Sequence, residues 1–192
     1  AEGMKGRLAV FARAPIFGEV KSRLAISIGE NAALNCYRKL LDNTVEAVMP
    51  FESEIWIAGD PDELSWARGL PVRQQGIGDL GIRMLAAFTD GVKVLVGTDI
   101  PAISTSYIEQ AFALLEEHDV VVGPTEDGGY WLLAMHEPHE SLFHEIEWGT
   151  NSVLTSTLAQ AQNLSVGLCD VLWDVDVEED YRRWLTFEHV RD

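Results

Sequence analysis

Short apolar runs alternate with amphipathic stretches along this chain, and that alternation predicts strands interleaved with helices. Residues 92–96, VKVLV, form the strongest strand pattern, and residues 30–48 show apolar positions at helical spacing, ended by Pro50. The predicted strands are residues 7–12, 54–58, 72–75, 92–96, 119–123, 130–135 and 165–172. The predicted helices are residues 30–48, 61–69, 80–89, 104–117, 151–162 and 178–187. A parallel sheet covered by helices requires this alternation, so the fold class is α/β.

One connection departs from the parallel pattern. Residues 127–129, Asp-Gly-Gly, predict a tight turn before strand 130–135, and such a turn favours antiparallel pairing. The expected sheet is therefore mixed and mostly parallel. Residues 1–192 contain no linker, repeat or low-complexity segment, which predicts a single domain. Met4 follows three residues, 1–3, whose position is consistent with an expression remnant.

Composition excludes several classes of protein. The net charge of −17 disfavours a nucleic-acid binder, because that affinity comes largely from clustered Lys and Arg. The longest apolar runs fall far short of the roughly 20 residues that a membrane span needs, and no signal-peptide pattern opens the chain. With only Cys36 and Cys169 present, a disulfide framework is not expected, and a reducing cytoplasm is the simpler location.

The few cations are unevenly distributed. Five of the fourteen Lys and Arg residues lie within the first 23 positions, which indicates a local anion site: Lys5, Arg7, Arg13, Lys21 and Arg23. Residues 13–24, RAPIFGEVKSRL, join the first strand to the first helix, and the loop is expected to run to about Leu24. Backbone N–H groups and cationic side chains in such a loop can hold a diphosphate. The segment lacks the glycine spacing of a Walker loop, so an exposed basic loop is the alternative.

Asp99 follows the strongest predicted strand, in the segment Gly97-Thr98-Asp99-Ile100-Pro101. Ligands of open α/β sheets bind beyond the carboxyl ends of the strands, where this carboxylate can reach a hard divalent cation. A structural turn aspartate is the alternative. Ser104 is the nearer candidate for the cap of the following helix.

Two further acidic segments are candidates for the same site. Residues 123–130, GPTEDGGY, combine two glycines with Asp127, a carboxylate available for acid–base chemistry, although a hairpin turn explains the pattern equally well. Residues 174–180, DVDVEED, can complete a metal site with Asp99 if the strands are neighbours, or can simply begin an acidic helix. Residues 148–150, Trp-Gly-Thr, predict either a substrate wall or a cap of the next helix.

These segments together resemble a bacterial family of glycosyltransferase-like proteins, linked in some genomes to arsenosugar biosynthesis, within the GT-A nucleotide-diphospho-sugar transferase superfamily. More distantly the chain is similar to phospholactate guanylyltransferase and molybdenum-cofactor guanylyltransferase. The resemblance covers most of the chain. It rests on residues 11–24, 75–84 (QGIGDLGIRM), 97–101, 123–133 and 148–150.

The resemblance implies a three-layer α/β/α fold and a divalent metal, Mg²⁺ or Mn²⁺, that bridges the phosphates of a nucleotide. In that pattern Asp99 holds the metal and acts in catalysis, and Asp176 is the second metal ligand. The nucleotide and its phosphates are expected to contact six residues: Arg13, Lys21, Arg23, Gln75, Asp79 and Arg83. The implied partners are a nucleotide-sugar or a nucleoside triphosphate, together with a small-molecule acceptor.

Three functions follow as hypotheses. The leading one is a metal-dependent glycosyltransferase in which Asp127 orients or deprotonates the acceptor. A guanylyltransferase-like nucleotidyltransferase, acting on a small phosphorylated substrate at the same metal, is the second. The third is a non-catalytic nucleotide-binding module, since a fold does not establish turnover.

Overall fold

A seven-stranded mixed sheet forms the middle of the molecule, as seen in a computed structural model that describes residues 6–191. The residues assigned to an expression remnant, 1–3, and the cation Lys5 lie outside that range. The strands are β1 (Arg7–Arg13), β2 (Glu52–Ala58), β3 (Val72–Gln74), β4 (Val92–Val96), β5 (Val120–Pro124), β6 (Tyr130–Met135) and β7 (Val166–Leu168).

The strand order is β3-β2-β1-β4-β6-β5-β7. β6 runs antiparallel to both of its neighbours, β4 and β5, and all other pairs are parallel. The predicted antiparallel pairing through the Asp-Gly-Gly turn is therefore confirmed. Because β6 is reversed, its first residue lies at the same sheet edge as the last residues of β4 and β5. That edge collects the polar segments singled out above.

Helices cover both faces of the sheet, so the predicted α/β/α fold is confirmed. They are α1 (Ser22–Ile28), α2 (Glu30–Val48), α3 (Leu80–Thr89), α4 (Thr105–Glu117), α5 (Val153–Gln160) and α6 (Glu178–Arg191). Alternate residues of β1 enter different cores: Leu8 and Val10 pack with α2 and α4, whereas Ala9 and Phe11 pack with α3. Among residues 6–191, no helix is both long enough and apolar enough to cross a membrane.

Three local predictions were wrong. Residues 61–69 contain only one 3₁₀ turn, Ser65–Ala67, instead of a helix. The Glu63 carboxylate accepts hydrogen bonds from the backbone and hydroxyl of Ser65, and Arg68 and Gly69 both have positive φ, which stops the helix. The loop expected to run to Leu24 ends at Lys21, and the short helix α1, which begins at Ser22, buries Leu24. Strand β7 is also shorter than predicted.

Candidate functional site

Asp99 lies just beyond the carboxyl end of β4, at the centre of the polar sheet edge. The backbone N–H of Gly97 donates to the carbonyl of Trp131 on β6 at 3.1 Å, which holds the segment after β4 against the reversed strand. The neighbouring Thr98 is buried, whereas the Asp99 side chain is 51% exposed. Ser104 caps α4 by accepting from the N–H of Tyr107, as predicted, so Asp99 is not engaged as a helix cap.

Lys21, the last residue of the connection between β1 and α1, forms an ion pair with Asp99. Its Nζ lies 2.6 Å from Asp99 Oδ1, and it also donates to the carbonyl of Val175. The Lys21 side chain is only 6% exposed, and its backbone is left-handed, with φ 51° and ψ 47°. A non-glycine residue held in this strained conformation at a polar cluster is typical of functional sites.

The acidic C-terminal segment lies beside Asp99. The backbone N–H of Val175 donates to the carbonyl of Asp99 at 3.0 Å, and Asp176 Oδ2 accepts from Arg23 Nη1 at 3.0 Å. Asp99 and Asp176 therefore lie at the same sheet edge, Asp99 beside Lys21 and Asp176 beside Arg23 of α1. Asp180 accepts from the N–H groups of Asp176 and Val177, so it caps the start of α6.

Two cavities open on either side of the Asp99 and Asp176 carboxylates. The first, of about 430 Å³, lies between the start of α1, the end of β1 and the start of α3. Its polar lining contains four cations and three acidic residues: Arg13, Lys21, Arg23, Arg83, Glu19, Asp99 and Asp176. Five of the six residues predicted to contact a nucleotide or its phosphates therefore line one cavity: Arg13, Lys21, Arg23, Gln75 and Arg83.

Tyr37 of α2 fixes the backbone at the mouth of this cavity. Its hydroxyl donates to the carbonyl of Arg13 at 2.6 Å and accepts from the N–H of Arg13 at 2.8 Å. Burial raises the pKa of Tyr37 to about 12, so the phenol stays neutral and keeps both bonds at physiological pH. The helical spacing of apolar residues over 30–48 indicated only a core position for Tyr37, and its polar role was missed.

Gln75 and Arg83 form a linked pair on the opposite wall. The buried Gln75 amide donates to the carbonyls of Trp56 and Ala12 at 2.9 and 3.2 Å, and its oxygen accepts from Arg83. Asp79 does not join them: it caps α3, accepting from the N–H of Ile82 at 2.9 Å, and lines neither of the two cavities. A carboxylate that satisfies a helix N-terminus is turned away from the cavity wall.

The second cavity, of about 550 Å³, lies on the other side of Asp99, against the β5–β6 turn and the start of α5. Its wall carries four aspartates: Asp99, Asp127, Asp174 and Asp176. The Thr125 hydroxyl and the Gly129 N–H donate to Asp127 Oδ1, and the backbone of the turn is fixed by bonds between Thr125 and Gly129. Asp127 is thus held by the turn and still faces the cavity.

Asp127 and Asp174 lie next to each other on the wall of the second cavity, and each shifts the pKa of the other. Burial, followed by the hydrogen bond and charge of Asp127, raises the pKa of Asp174 to about 8. Burial opposes ionisation of Asp127 too, but hydrogen bonds from Thr125, Asp174 and Gly129 outweigh it and lower the pKa of Asp127. At neutral pH Asp174 therefore donates and Asp127 accepts. The sequence analysis placed Asp174 only in an acidic run, because this partnership depends on the strand order.

Trp148 forms an aromatic wall of the second cavity. Its ring lies against α3, where a Cβ added at Gly81 would approach the ring to 2.8 Å. Gly149 and Thr150 also line the cavity, whereas Ser152 occupies the cap position of α5. Of the two interpretations of residues 148–150, the geometry favours the wall.

The donor set at the junction of the cavities fits a hard divalent cation. Asp99 and Asp176 supply carboxylate oxygens, and magnesium in phosphate-handling sites is commonly held by one or two carboxylates together with substrate phosphates. Among residues 6–191, no three His, Cys, Asp or Glu side chains form a group that could hold a metal. The remaining ligands would have to come from the substrate.

A family model matches more than half of the chain. The model of the family described as "Uncharacterized protein conserved in bacteria (DUF2064)" matches residues 41–150. No protein in a search of the curated proteins matches the sequence.

Several solved structures share the fold. One from Desulfovibrio desulfuricans G20, provisionally named a nucleotide-diphospho-sugar transferase, is 28% identical with a TM-score of 0.79, over 89% of this chain and 82% of that one. The 4-diphosphocytidyl-2C-methyl-D-erythritol synthase of Anaerococcus prevotii DSM 20548 is 11% identical, with a TM-score of 0.62 over 98% and 97%. Rv0371c of Mycobacterium tuberculosis H37Rv, solved in complex with manganese, is 17% identical, with a TM-score of 0.53 over 95% and 99%.

Proposed function

The chain belongs to the DUF2064 family of uncharacterised proteins conserved in bacteria, and on that premise we propose that it is a metal-dependent glycosyltransferase. It would bind a nucleotide-diphospho-sugar and transfer the sugar to a small-molecule acceptor. One observation carries the proposal: the ion-paired carboxylates Asp99 and Asp176 form the wall between a cation-rich cavity and an acidic one. The 28% identical structure named as a nucleotide-diphospho-sugar transferase supports the same class of substrate.

The first cavity is proposed to hold the nucleotide. Lys21 and Arg23 would pair with the diphosphate, and Arg13 and Arg83 add positive charge to the same wall. Gln75 is buried and fixed by backbone carbonyls, so it and Arg83 offer a preorganised polar wall to the rest of the nucleotide. Preorganised donors stabilise charge on a leaving group without further rearrangement.

The metal is proposed to be held by Asp99 and Asp176. A bound Mg²⁺ or Mn²⁺ would neutralise the diphosphate as it leaves. In this structure Lys21 forms an ion pair with Asp99 at 2.6 Å, and Arg23 forms one with Asp176 at 3.0 Å. Both side chains would turn toward the phosphates when a cation is bound. Rv0371c, which shares the fold, has been solved with manganese, and that observation motivates including Mn²⁺ in the test.

The testing experiment is a thermal-shift screen with nucleoside di- and triphosphates and nucleotide-sugars, each with and without Mg²⁺ or Mn²⁺. A ligand specific for the folded state raises the melting temperature by mass action. We expect a metal-dependent shift with a nucleotide-sugar and its loss in Asp99→Asn and Asp176→Asn. Asp42→Asn is the matched control, because Asp42 is 54% exposed and pairs with Arg68 at 2.6 Å, away from both cavities.

Product analysis then identifies the reaction. Release of a nucleoside diphosphate with transfer of the sugar supports glycosyl transfer, whereas pyrophosphate release from a triphosphate would support nucleotidyl transfer. Binding without turnover would favour a non-catalytic module. An undiminished metal-dependent shift in Asp99→Asn would refute the site itself.

A further inference from the structure

The two cavities have opposite charge. Four acidic side chains and one cationic side chain, all from residues 6–191, line the second cavity. The cation is Arg23, whose guanidinium already lies 3.0 Å from Asp176. The first cavity instead has more cationic than acidic side chains. Asp127 is paired neither with Arg23 nor with the proposed metal, so its carboxylate keeps negative charge on the wall of the second cavity. An anion is therefore attracted to the first cavity and disfavoured in the second, because like charges at short range repel.

The second cavity also presents surfaces suited to a ring or chain of hydroxyl groups. Ionised carboxylates accept hydrogen bonds only, so each aspartate that remains ionised seeks donors, which hydroxyls provide. Thr125, Thr150 and Asn151 add neutral polar groups to the wall. Trp148 and Tyr130 add aromatic surface, and Tyr130 is anchored by contact of its hydroxyl with Met84 Sδ at 3.8 Å. Small-molecule sites typically combine aromatic walls with a few fixed polar groups in this way.

We propose that the second cavity binds the acceptor, and that the acceptor is an uncharged polyhydroxylated molecule of the saccharide or polyol class rather than a phosphate ester. The inference rests on the function proposed above and names the substrate class of its second site. Trp148 provides the face against which the carbon skeleton packs. Asp127, which the β5–β6 turn holds at the wall, receives a hydroxyl of the acceptor.

The transfer step follows from this placement. As the acceptor oxygen bonds to the anomeric carbon of the donor, the hydroxyl proton passes to the Asp127 carboxylate. The bond between the anomeric carbon and the diphosphate oxygen breaks, and its electron pair leaves on the diphosphate in the first cavity. The products are the glycosylated acceptor, the nucleoside diphosphate and a protonated Asp127, so atoms and charge balance.

The experiment uses saturation-transfer NMR with paired probes: glycerol and glycerol 3-phosphate, myo-inositol and its 1-phosphate, and N-acetylglucosamine and its 6-phosphate. The protein is first saturated with Mg²⁺ and the nucleoside diphosphate that gives the largest thermal shift, so that the cationic cavity is filled. We expect saturation transfer to at least one neutral probe, with affinity roughly tenfold or more above that of its phosphate ester.

Two variants locate the binding. Trp148→Ala should abolish the signal and leave nucleoside diphosphate binding intact, whereas Trp148→Phe should retain the signal. The matched control is Trp66→Ala, which removes another half-buried indole from a 3₁₀ turn that lines neither cavity. Intact nucleoside diphosphate binding by Trp148→Ala shows that its loss of signal is not a loss of folding, and the retained Trp148→Phe signal shows that an aromatic ring is what the acceptor needs.

Three results would overturn the inference: tighter binding of phosphate esters than of neutral probes, a full signal in Trp148→Ala, or no binding of any neutral probe. Failure of the proposed function is separate, because it appears as absent nucleotide binding in the wild type. In that case the probes are tested on the protein without nucleotide, and the same three results would overturn the acceptor inference.

Discussion

The Nζ of Lys21 lies 2.6 Å from Oδ1 of Asp99, although 78 residues separate them in the sequence. The contact joins the connection after β1 to the segment after β4, two neighbouring strands of the sheet. It is made by a residue with left-handed backbone geometry whose side chain is almost completely buried. Lys21 therefore contributes both a strained backbone conformation and a positive charge to the site, and mutation can separate the two effects.

Replacing Lys21 with glycine or alanine should separate the two effects. Both variants remove the ammonium group, and we expect nucleoside diphosphate affinity to fall roughly tenfold in each, as for loss of one charge-assisted contact. Glycine adopts φ 51° without a Cβ penalty, so Lys21→Gly should be about 1 kcal/mol more stable than Lys21→Ala. Calorimetric titration and denaturant unfolding measure the two quantities. Equal stability of the variants would show that the left-handed geometry is not retained.

Asp79 tests whether a predicted nucleotide contact is instead a helix cap. Asp79→Ala should lower the free energy of unfolding by about 1 kcal/mol, because the N–H of Ile82 loses its acceptor. Asp79→Asn keeps an oxygen acceptor and should remain near the wild type in stability. Nucleotide affinity, measured by the same titration, should be unchanged in both. A matching loss of affinity in the two variants would restore the nucleotide role.

Much of the fold follows from the sequence because apolar periodicity depends on local spacing. The strands from β1 to β6 and the helices α2, α3 and α4 lie where the pattern predicts them. The helix predicted at residues 61–69 is absent because two hydrogen bonds from Ser65 to the Glu63 carboxylate, and two residues with positive φ, outweigh a weak helical period. The helix α1 was missed because its seven residues are too few to display a helical period of apolar positions.

The site was predictable to the extent that its residues follow strands. Asp99, Asp127 and Arg13 come at or just after strand ends, so the parallel arrangement alone brings them to one edge. The bonds of Tyr37 to the Arg13 backbone, and of Asp174 to Asp127, depend on packing between distant elements. A pattern in one sequence carries no signal for such pairs.

Gly128 should resist substitution more strongly than other glycines near the second cavity. A Cβ there would lie 2.1 Å from the carbonyl oxygen of Asn151, and φ is +91°. Gly149, with φ +79°, has no atom within 4 Å of an added Cβ and serves as the matched control. We expect Gly149→Ala to cost about 1 to 2 kcal/mol from backbone strain alone, and Gly128→Ala to cost distinctly more. Thermal unfolding of both variants measures the difference, and equal costs would contradict the crowding.

Cys36 and Cys169 should be unreactive in the folded protein. Burial raises the pKa of Cys36 to about 11 and that of Cys169 to about 12. A raised pKa disfavours the thiolate, so at about pH 8 roughly one Cys36 thiol in a thousand is ionised, and fewer at Cys169. Ellman's reagent should therefore detect no thiol until guanidinium chloride unfolds the chain, and then two. Fast reaction of the native protein would show that one of these thiols is accessible.

The reversed strand β6 has a consequence for how relatives of this protein can diversify. Because β6 starts at the edge where β5 ends, only residues 125–129 join them, and the turn is pinned by hydrogen bonds to Leu172 and Leu154. Insertions in this turn would disturb the hydrogen bonds that hold it. On the proposed function, changes in acceptor preference during evolution should therefore accumulate in residues 148–151, which line the same cavity from outside the sheet.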